Sequence, residues 1–333
     1  MLLDIRNLSI QLRSETSYIQ VCKNFDLMIN DGEICSLVGS SGSGKSLIIN
    51  AIMGMYGHDM KVTMDYFKFR DMDLTNLSVA ERRKILSSEV AIIFQEARAS
   101  LDPELPIGVQ MRASLGSHCF DDKWYRWPFW RFRAVNNILH KVGIKNTKQV
   151  LRALPYQLSE VLCQKIIIAM ALSRKPKLLI ADSPISGMTS TSQVQILKLF
   201  HSYVENSKGT MLYVTNDLGP ASNLMDTIKM LYCGQIVESG PKEQVINCPH
   251  HPFTQSMINA IPEFNRQVKL KMKLDVLRGD PPEFTQTPIG CPLGPRCPHA
   301  DRECNTMPPI VKTKNGFFRC YYPLNMEKDN ESK

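Results

Sequence analysis

The chain lacks any long hydrophobic run. Its longest uninterrupted apolar stretch is Ile166 to Leu172, far short of the ~20 residues a membrane-spanning helix needs. Membrane association is therefore expected through partners or the surface. The opening MLLDIRNLSIQL carries charges inside its apolar positions, which is unlike a signal peptide. No internal repeat is visible, which argues against a solenoid. An acidic excess is also missing: 40 Lys and Arg stand against 32 Asp and Glu, for a net charge of +8. A mild basic balance suits anionic partners such as nucleotides, nucleic acid or lipid headgroups, without choosing among them. What is present is an ordinary globular composition, with 43% hydrophobic residues to fill a core. At 333 residues the chain has room for two domains, or one large domain with an appendage. Six of its ten cysteines are scattered, and four cluster near the C-terminus. Without a secretion signal the cluster suggests a metal site rather than disulfides.

LLDIRNLSIQL reads as a strand with Asn24 to Ile29 as its sheet neighbour, and Ile34 to Gly39 as a short apolar strand. LIINAIMGM has helical spacing. The stretch from Met60 to Gln157 reads as polar and mostly helical, and Leu158 to Leu172 as a helix. LLIAD is a buried strand, Thr191 to Glu205 a helix, and TMLYVTND another buried strand. IKMLYCGQIVESG predicts a strand pair turning at Cys233-Gly234. Apolar strands alternating with helices predict an α/β fold with a mainly parallel sheet. From about Pro249 the composition shifts to Pro, Cys and scattered charge. This predicts a main domain over 1–248 and a C-terminal extension over 249–333. MEKDNESK at the end reads as a solvated tail.

Gly39-Ser40-Ser41-Gly42-Ser43-Gly44-Lys45-Ser46 fits G-x-x-x-x-G-K-[ST] in full, after a strand and before a helix. Glycines let backbone N–H groups approach phosphates, and the helix N-terminus adds its positive end. Lys45 would reach the β- and γ-phosphates and Ser46 would ligate Mg²⁺. Asp182, closing a buried strand, suits the second group on the Mg²⁺ side.

The order of this loop, IIFQEARASLDP, LPYQLSEVLCQKIIIAMALSRKPKLLIAD and YVTNDL resembles the ATP-binding subunits of ABC transporters. HPFTQSMINAIP, IGCPLGPRCPHADREC and the terminal YYPLNMEK narrow the resemblance to bacterial peptide importers of the Opp/Dpp type, and among them the Sap systems. It implies a P-loop ABC-type ATPase core with a helical subdomain at about 96–172. It implies ATP and Mg²⁺ as cofactors, and a place on the cytoplasmic face of the inner membrane. The partners implied are a second ATPase subunit in a heterodimer, two membrane permeases and, indirectly, a periplasmic binding protein. No nucleic acid is expected. Each ATP would lie between the phosphate loop of one subunit and the signature loop of the other. By position, Gln95 would sense Mg²⁺ and couple to the permease. Tyr18 would stack on adenine, or serve as a plain strand aromatic.

Four positions depart from the family pattern. Ser183 stands where a catalytic glutamate is expected, Asn216 at the switch histidine, and Thr189 at the cross-dimer aspartate. The signature LSGGQ reads Leu158-Ser159-Glu160-Val161-Leu162. Serine cannot act as a base near neutral pH, and loss of a positioned base costs roughly 10²- to 10⁴-fold in rate. Asn216 donates a hydrogen bond but carries no positive charge. Glu160 brings a carboxylate toward a polyanion. At ~5 Å and an effective dielectric of ~20 that repulsion is about 3 kcal/mol before screening, whereas a side chain turned away would leave Glu160 harmless and Val161 the more serious change. Val161 would resist a positive φ. Together these predict retained Mg·ATP binding and impaired hydrolysis at the chain's own site. An ATP-dependent clamp that does not hydrolyse is the alternative. A soluble ABC protein acting on nucleic acid is a third reading, disfavoured by the single phosphate loop.

Cys291, Cys297, Cys304 and Cys320 supply four soft thiolates, which suit an iron–sulfur cluster or Zn²⁺. Their spacing is neither the zinc-ribbon nor the ferredoxin pattern. The resemblance to dipeptide importers favours [4Fe–4S], and reduced thiols remain the third option. WYRWPFWRFR, from Trp124 to Arg133, interleaves aromatics with arginines. It suits subdomain packing, permease or headgroup contact, or single-stranded nucleic acid. His250 and His251 read as turn residues before Pro252.

Overall fold

The computed structural model describes the chain except residues 16, 116–126, 221, 262–276 and 327–333, and of 127–132 only the backbone. Two compact units result. Met1–Asn30, Ile34–Arg83 and Val214–Lys333 form one, and Asp31–Glu33 with Lys84–Tyr213 form the other.

In the first unit, β1 (Leu3–Arg13) and β2 (Tyr18–Ile29) form an antiparallel pair running from Leu3↔Ile29 to Arg13↔Tyr18. β1 also pairs with β4 (Met60–Thr63) and β5 (Tyr66–Phe69), and β6 (Met72–Asp73) closes the far edge of β5. The inward residues Ile5, Leu8, Ile10, Leu27, Phe67 and Phe69 are fully buried, so each strand is held by its apolar face. A second sheet in this unit starts with β3 (Ile34–Gly39), parallel to β10 (Thr227–Tyr232) with Cys35 opposite Thr227. β11 (Gln235–Pro241) returns antiparallel through Cys233 and Gly234, both at positive φ. That is the twist a two-residue hairpin demands. Beyond β11 lie β13 (Phe317–Phe318) and β12 (Val311–Lys312). α1 (Lys45–Met53) leaves β3 and ends at Gly54. α8 (Lys242–Asn247) and α9 (Pro252–Asn259) follow β11.

α2 (Val79–Glu89) follows β6. Ser78 Oγ accepts the Glu81 N–H at 3.3 Å and Glu81 accepts the Ser78 N–H at 2.9 Å, a capping box that fixes where this helix begins. In the second unit, β7 (Val90–Ile93) lies parallel to β8 (Leu178–Asp182), with β9 (Thr210–Thr215) on the other side of β8. Every residue of β8 and β9 is buried, as a parallel sheet covered on both faces requires. α3 (Ile107–Ser114), α4 (Trp127–Lys141), α5 (Thr147–Arg152) and α6 (Glu160–Ser173) pack on one another. α6 is buried without a break from Cys163 to Ala169, so it is a core helix rather than an amphipathic one. α7 (Ser190–Ser207) joins β8 to β9.

The stretch from Met60 to Gln157 is less helical than its composition predicts. β4, β5, β6 and β7 interrupt it. The first three are two to four residues long and take their order from pairing in the first sheet, so their own periodicity is too short to read. Of the aromatic-arginine run, Trp124 to Arg126 and the side chains of 127–132 lie outside the described residues, and the backbone from Trp127 is helical.

Candidate nucleotide site

The phosphate loop leaves β3 at Gly39 and enters α1 at Lys45. Gly44 caps α1 at φ 100°, a conformation that excludes most other residues. At Gly39 the constraint is space, since a Cβ there would overlap the Leu231 carbonyl and lie 2.8 Å from Ser43 Oγ. The loop is tied to the β10–β11 turn by Gly234 N–H donating to the Ser43 carbonyl at 3.0 Å.

Lys45 is 8% exposed, and its Nζ donates to the Gly39 and Ser40 carbonyls at 2.8 and 2.7 Å and to Ser43 Oγ at 3.2 Å. Its ammonium is thus held inside the loop, next to the exposed backbone of Ser41 and Gly42. Ser40 Oγ is buried with no hydrogen-bond partner. An orphaned hydroxyl, a cradled ammonium and a helix head with no acidic residue in its first turn fit a chain of phosphate oxygens. Ser46 sits exposed on the first turn of α1, where a hydroxyl can face a cation. Tyr18 opens β2 with 54% of its surface exposed, and Val21 on the same strand packs toward Gly44. Asn216 follows β9 and is exposed, in a turn where Thr215 Oγ1 accepts the Asp217 N–H at 3.0 Å.

In the second unit, parallel pairing brings the ends of β7 and β8 to one edge of the sheet, Ile93 beside Ala181. Asp182 closes β8 and is 6% exposed. Gln95 is exposed two residues beyond β7. β7 ends at Ile93, short of Gln95, and Gln164 Nε2 holds the Phe94 carbonyl at 3.4 Å. Ligands of parallel sheets gather at such strand ends. Ser183 has φ 48°, with its Oγ 3.5 Å from Asp182 Oδ1. Thr189 is exposed at the N-cap of α7 and contacts Ser192 Oγ at 3.2 Å.

The signature segment forms the head of α6. Ser159 is its N-cap, accepting the Leu162 N–H at 3.3 Å. Two expectations about this loop change. Glu160 does not project alone: Arg98 donates its N–H to Glu160 Oε1 at 3.1 Å and places Nε 3.6 Å from Oε2. The same guanidinium donates to the Leu158 carbonyl at 2.8 Å. A cation 62 residues upstream in sequence offsets the repulsion expected of this carboxylate. Val161 lies within α6 and has no positive φ, so the expected backbone strain is absent. Its bulk, half-buried in the first turn, is the remaining change.

The C-terminal extension is built around Glu238, which is 2% exposed on β11. Its Oε1 accepts the His250 N–H at 2.7 Å and lies 3.3 Å from His250 Nδ1, while Oε2 accepts the His251 N–H at 3.0 Å. His250 stacks on Phe318 at 4.7 Å. Burial pushes the His251 pKa down to about 4, and its neutral ring accepts the Phe253 N–H as the cap of α9. Both histidines lie in the non-helical segment between α8 and α9, where they are buried anchors.

Cys291, Cys297, Cys304 and Cys320 are half-buried free thiols. They share one locale: Cys291 N–H donates to the Cys304 carbonyl at 2.9 Å, and Cys320 interacts electrostatically with the other three. Burial, with those neighbours adding, pushes Cys320 up to about 12. Their donor chemistry fits a soft metal, but their arrangement does not. Among the described residues no group of three or more His, Cys, Asp or Glu has the geometry to hold a metal ion. The loop is held instead by its own backbone bonds, such as Gly294 N–H to Cys291 O at 2.9 Å and Cys304 N–H to Asp301 O at 2.9 Å.

Comparison with known proteins agrees with this geometry. The family model described as ABC transporter matches residues 22–186, and that of the oligopeptide/dipeptide transporter C-terminal region matches 237–304. The peptide transport system ATP-binding protein SapD of Escherichia coli O157:H7 is 43% identical over 98% of this chain and 99% of its own. SapD of Haemophilus influenzae is 41% identical over 99% and 94%. The dipeptide transport ATP-binding protein DppD of Escherichia coli K12 is 34% identical over 97% of both chains. Among solved structures, the dimeric ATP-binding cassette MJ0796 bound to ADP and Pi matches with a TM-score of 0.62. It covers 72% of this chain and 99% of that one at 23% identity, which speaks for the fold alone. With a P-loop α/β core, and with relatives of this identity along nearly its whole length, the chain belongs to the ABC transporter ATPases, in the family of ATP-binding subunits that carry the oligopeptide/dipeptide-transporter C-terminal region.

Proposed function

We propose that the chain binds Mg·ATP on the loop from Gly39 to Ser46 and powers a bacterial peptide transporter of the Sap type. The observation that carries this reading is Lys45 cradled by three loop oxygens beside an exposed helix head. Ser46, Gln95 and Asp182 are the proposed Mg²⁺ residues, and the metal, when bound, would neutralise charge on the β- and γ-phosphates. Tyr18 is proposed to face adenine. The domain division proposed is an ATP-binding domain over 1–248, with a helical subdomain near 96–172, and an extension over 249–333. The proposed partners are a SapF-like ATPase subunit in a heterodimer and permeases of the SapB and SapC kind, on the cytoplasmic face of the inner membrane. Among the described residues no helix is long and apolar enough to cross a membrane.

Hydrolysis at the chain's own site is proposed to be slow, because Ser183 and Asn216 offer neither a base nor a cation. Ser159, Glu160 and Val161 would face the partner's ATP. The assembled transporter tests this with the partner's phosphate loop disabled, leaving only the site on this chain. Turnover is then expected to be low, and Ser183→Glu to raise it by at least tenfold, within the roughly 10²- to 10⁴-fold worth of a positioned base. A glutamate at φ 48° costs about 1 kcal/mol, small beside that gain. Brisk hydrolysis by the unmodified chain overturns the proposal. Binding without turnover in both forms selects the clamp.

The four thiols are proposed to take a [4Fe–4S] cluster in preference to Zn²⁺ on the strength of the donor set, and because their arrangement here holds no metal, the proposal requires the loop to close around the cluster as it binds. Anaerobic purification is then expected to yield brown protein with about four iron and four sulfide per chain. Colourless, metal-free protein with the same melting temperature overturns this.

A further inference from the structure

The turn Phe284–Gln286 packs on β2, and Phe284 is half-exposed. Its ring reaches the head of the phosphate loop. A Cβ position at Gly44 lies 3.4 Å from Phe284 Cζ and 3.4 Å from Val21 Cγ1. The segment that carries the ring is fastened to the hairpin that also holds the loop. Cys233 Sγ lies 3.9 Å from the Pro282 carbonyl, and Arg296 donates to Tyr232 Oη at 3.0 Å and to the Gly279 carbonyl at 2.7 Å. The adjoining Gly234 bonds Ser43. A nucleotide whose phosphates rest on the loop must lead its ribose and base away from the N-terminus of α1. Phe284 and Val21 are apolar groups that flank Gly44 at the start of α1.

We propose that Phe284 is a nucleoside-contacting residue, so that the segment 281–287 of the C-terminal extension forms part of the nucleotide site. This rests on the phosphate-loop reading. A phenyl ring adds dispersion and stacking to a sugar or purine and nothing to a phosphate. Its removal therefore weakens the nucleoside half of the ligand alone.

The test uses the full chain and a fluorescent ATP analogue, displaced by ATP or by inorganic tripolyphosphate. Phe284→Ala is expected to weaken ATP about tenfold, the size of one base–aromatic contact, and to leave tripolyphosphate within twofold. Phe284→Tyr restores ATP. Phe284→Leu keeps bulk without the ring; it is expected to weaken ATP several-fold, and it serves if the alanine variant fails to fold. Equal weakening of both ligands, or of neither, overturns the proposal while the phosphate-loop reading stands. If neither ligand competes on the unmodified chain, the phosphate-loop reading itself fails.

Discussion

Replacing Lys45 with alanine is expected to raise the ATP dissociation constant at least 100-fold. Lys45 is 8% exposed, and its ammonium is already organised by three oxygens of its own loop. All three of its N–H donors are taken by loop oxygens, so phosphate oxygens arriving at the head of α1 replace loop acceptors at a charge that is already in place. Charge-assisted hydrogen bonds contribute about 1.5–3 kcal/mol each, and losing two of them corresponds to roughly 10²- to 10⁴-fold in affinity. Alanine also deprives the buried Gly39 carbonyl and the part-buried Ser40 carbonyl of this donor, so a fall in melting temperature is expected as well. Arginine is no substitute, because its planar fork cannot fill a pocket shaped around a point charge. Calorimetric titration of the purified chain with Mg·ATP measures the effect. Binding by Lys45→Ala within threefold of the unmodified chain would remove the loop from the proposal.

The second large effect is on stability. Glu238→Gln is expected to destabilise the fold by about 3 kcal/mol, through loss of a buried carboxylate that organises two backbone donors. Glu238 Oε1 and Oε2 each accept one N–H, from His250 and His251, with the His250 ring alongside. Glutamine keeps the shape but turns one acceptor into a donor, so one buried N–H faces another. The consequence spreads, because His251 caps α9 and His250 stacks on Phe318 at the edge of β13. Thermal melting by circular dichroism should show a drop of several degrees. A melting temperature within one degree of the unmodified chain would mean that water or backbone movement satisfies both donors.

Much of this molecule is legible along the chain. Ile34–Gly39 followed by a glycine-rich loop and a helix, LLIAD, and the hairpin at Cys233-Gly234 are each specified by neighbours a few residues apart. In such segments apolar runs, special φ angles and helix caps point to one answer. The family pattern, and the departures from it proposed at Ser183, Asn216 and Thr189, are read in the same way, as residue type at a position. Short strands such as β5 and β6 are not legible, because two to four residues carry no period of their own and are ordered by the strand they pair with.

The sequence by itself determined the phosphate loop, its lysine and the residue types at the positions proposed to be catalytic. Only the tertiary structure decided that Glu160 is offset by Arg98, that Glu238 gathers His250 and His251, and that Phe284 borders Gly44. The physical reason is range. Hydrogen-bond geometry and backbone preference act between near neighbours, whereas a salt bridge across 62 residues or a ring laid on a distant loop exists only after packing has brought the two segments together.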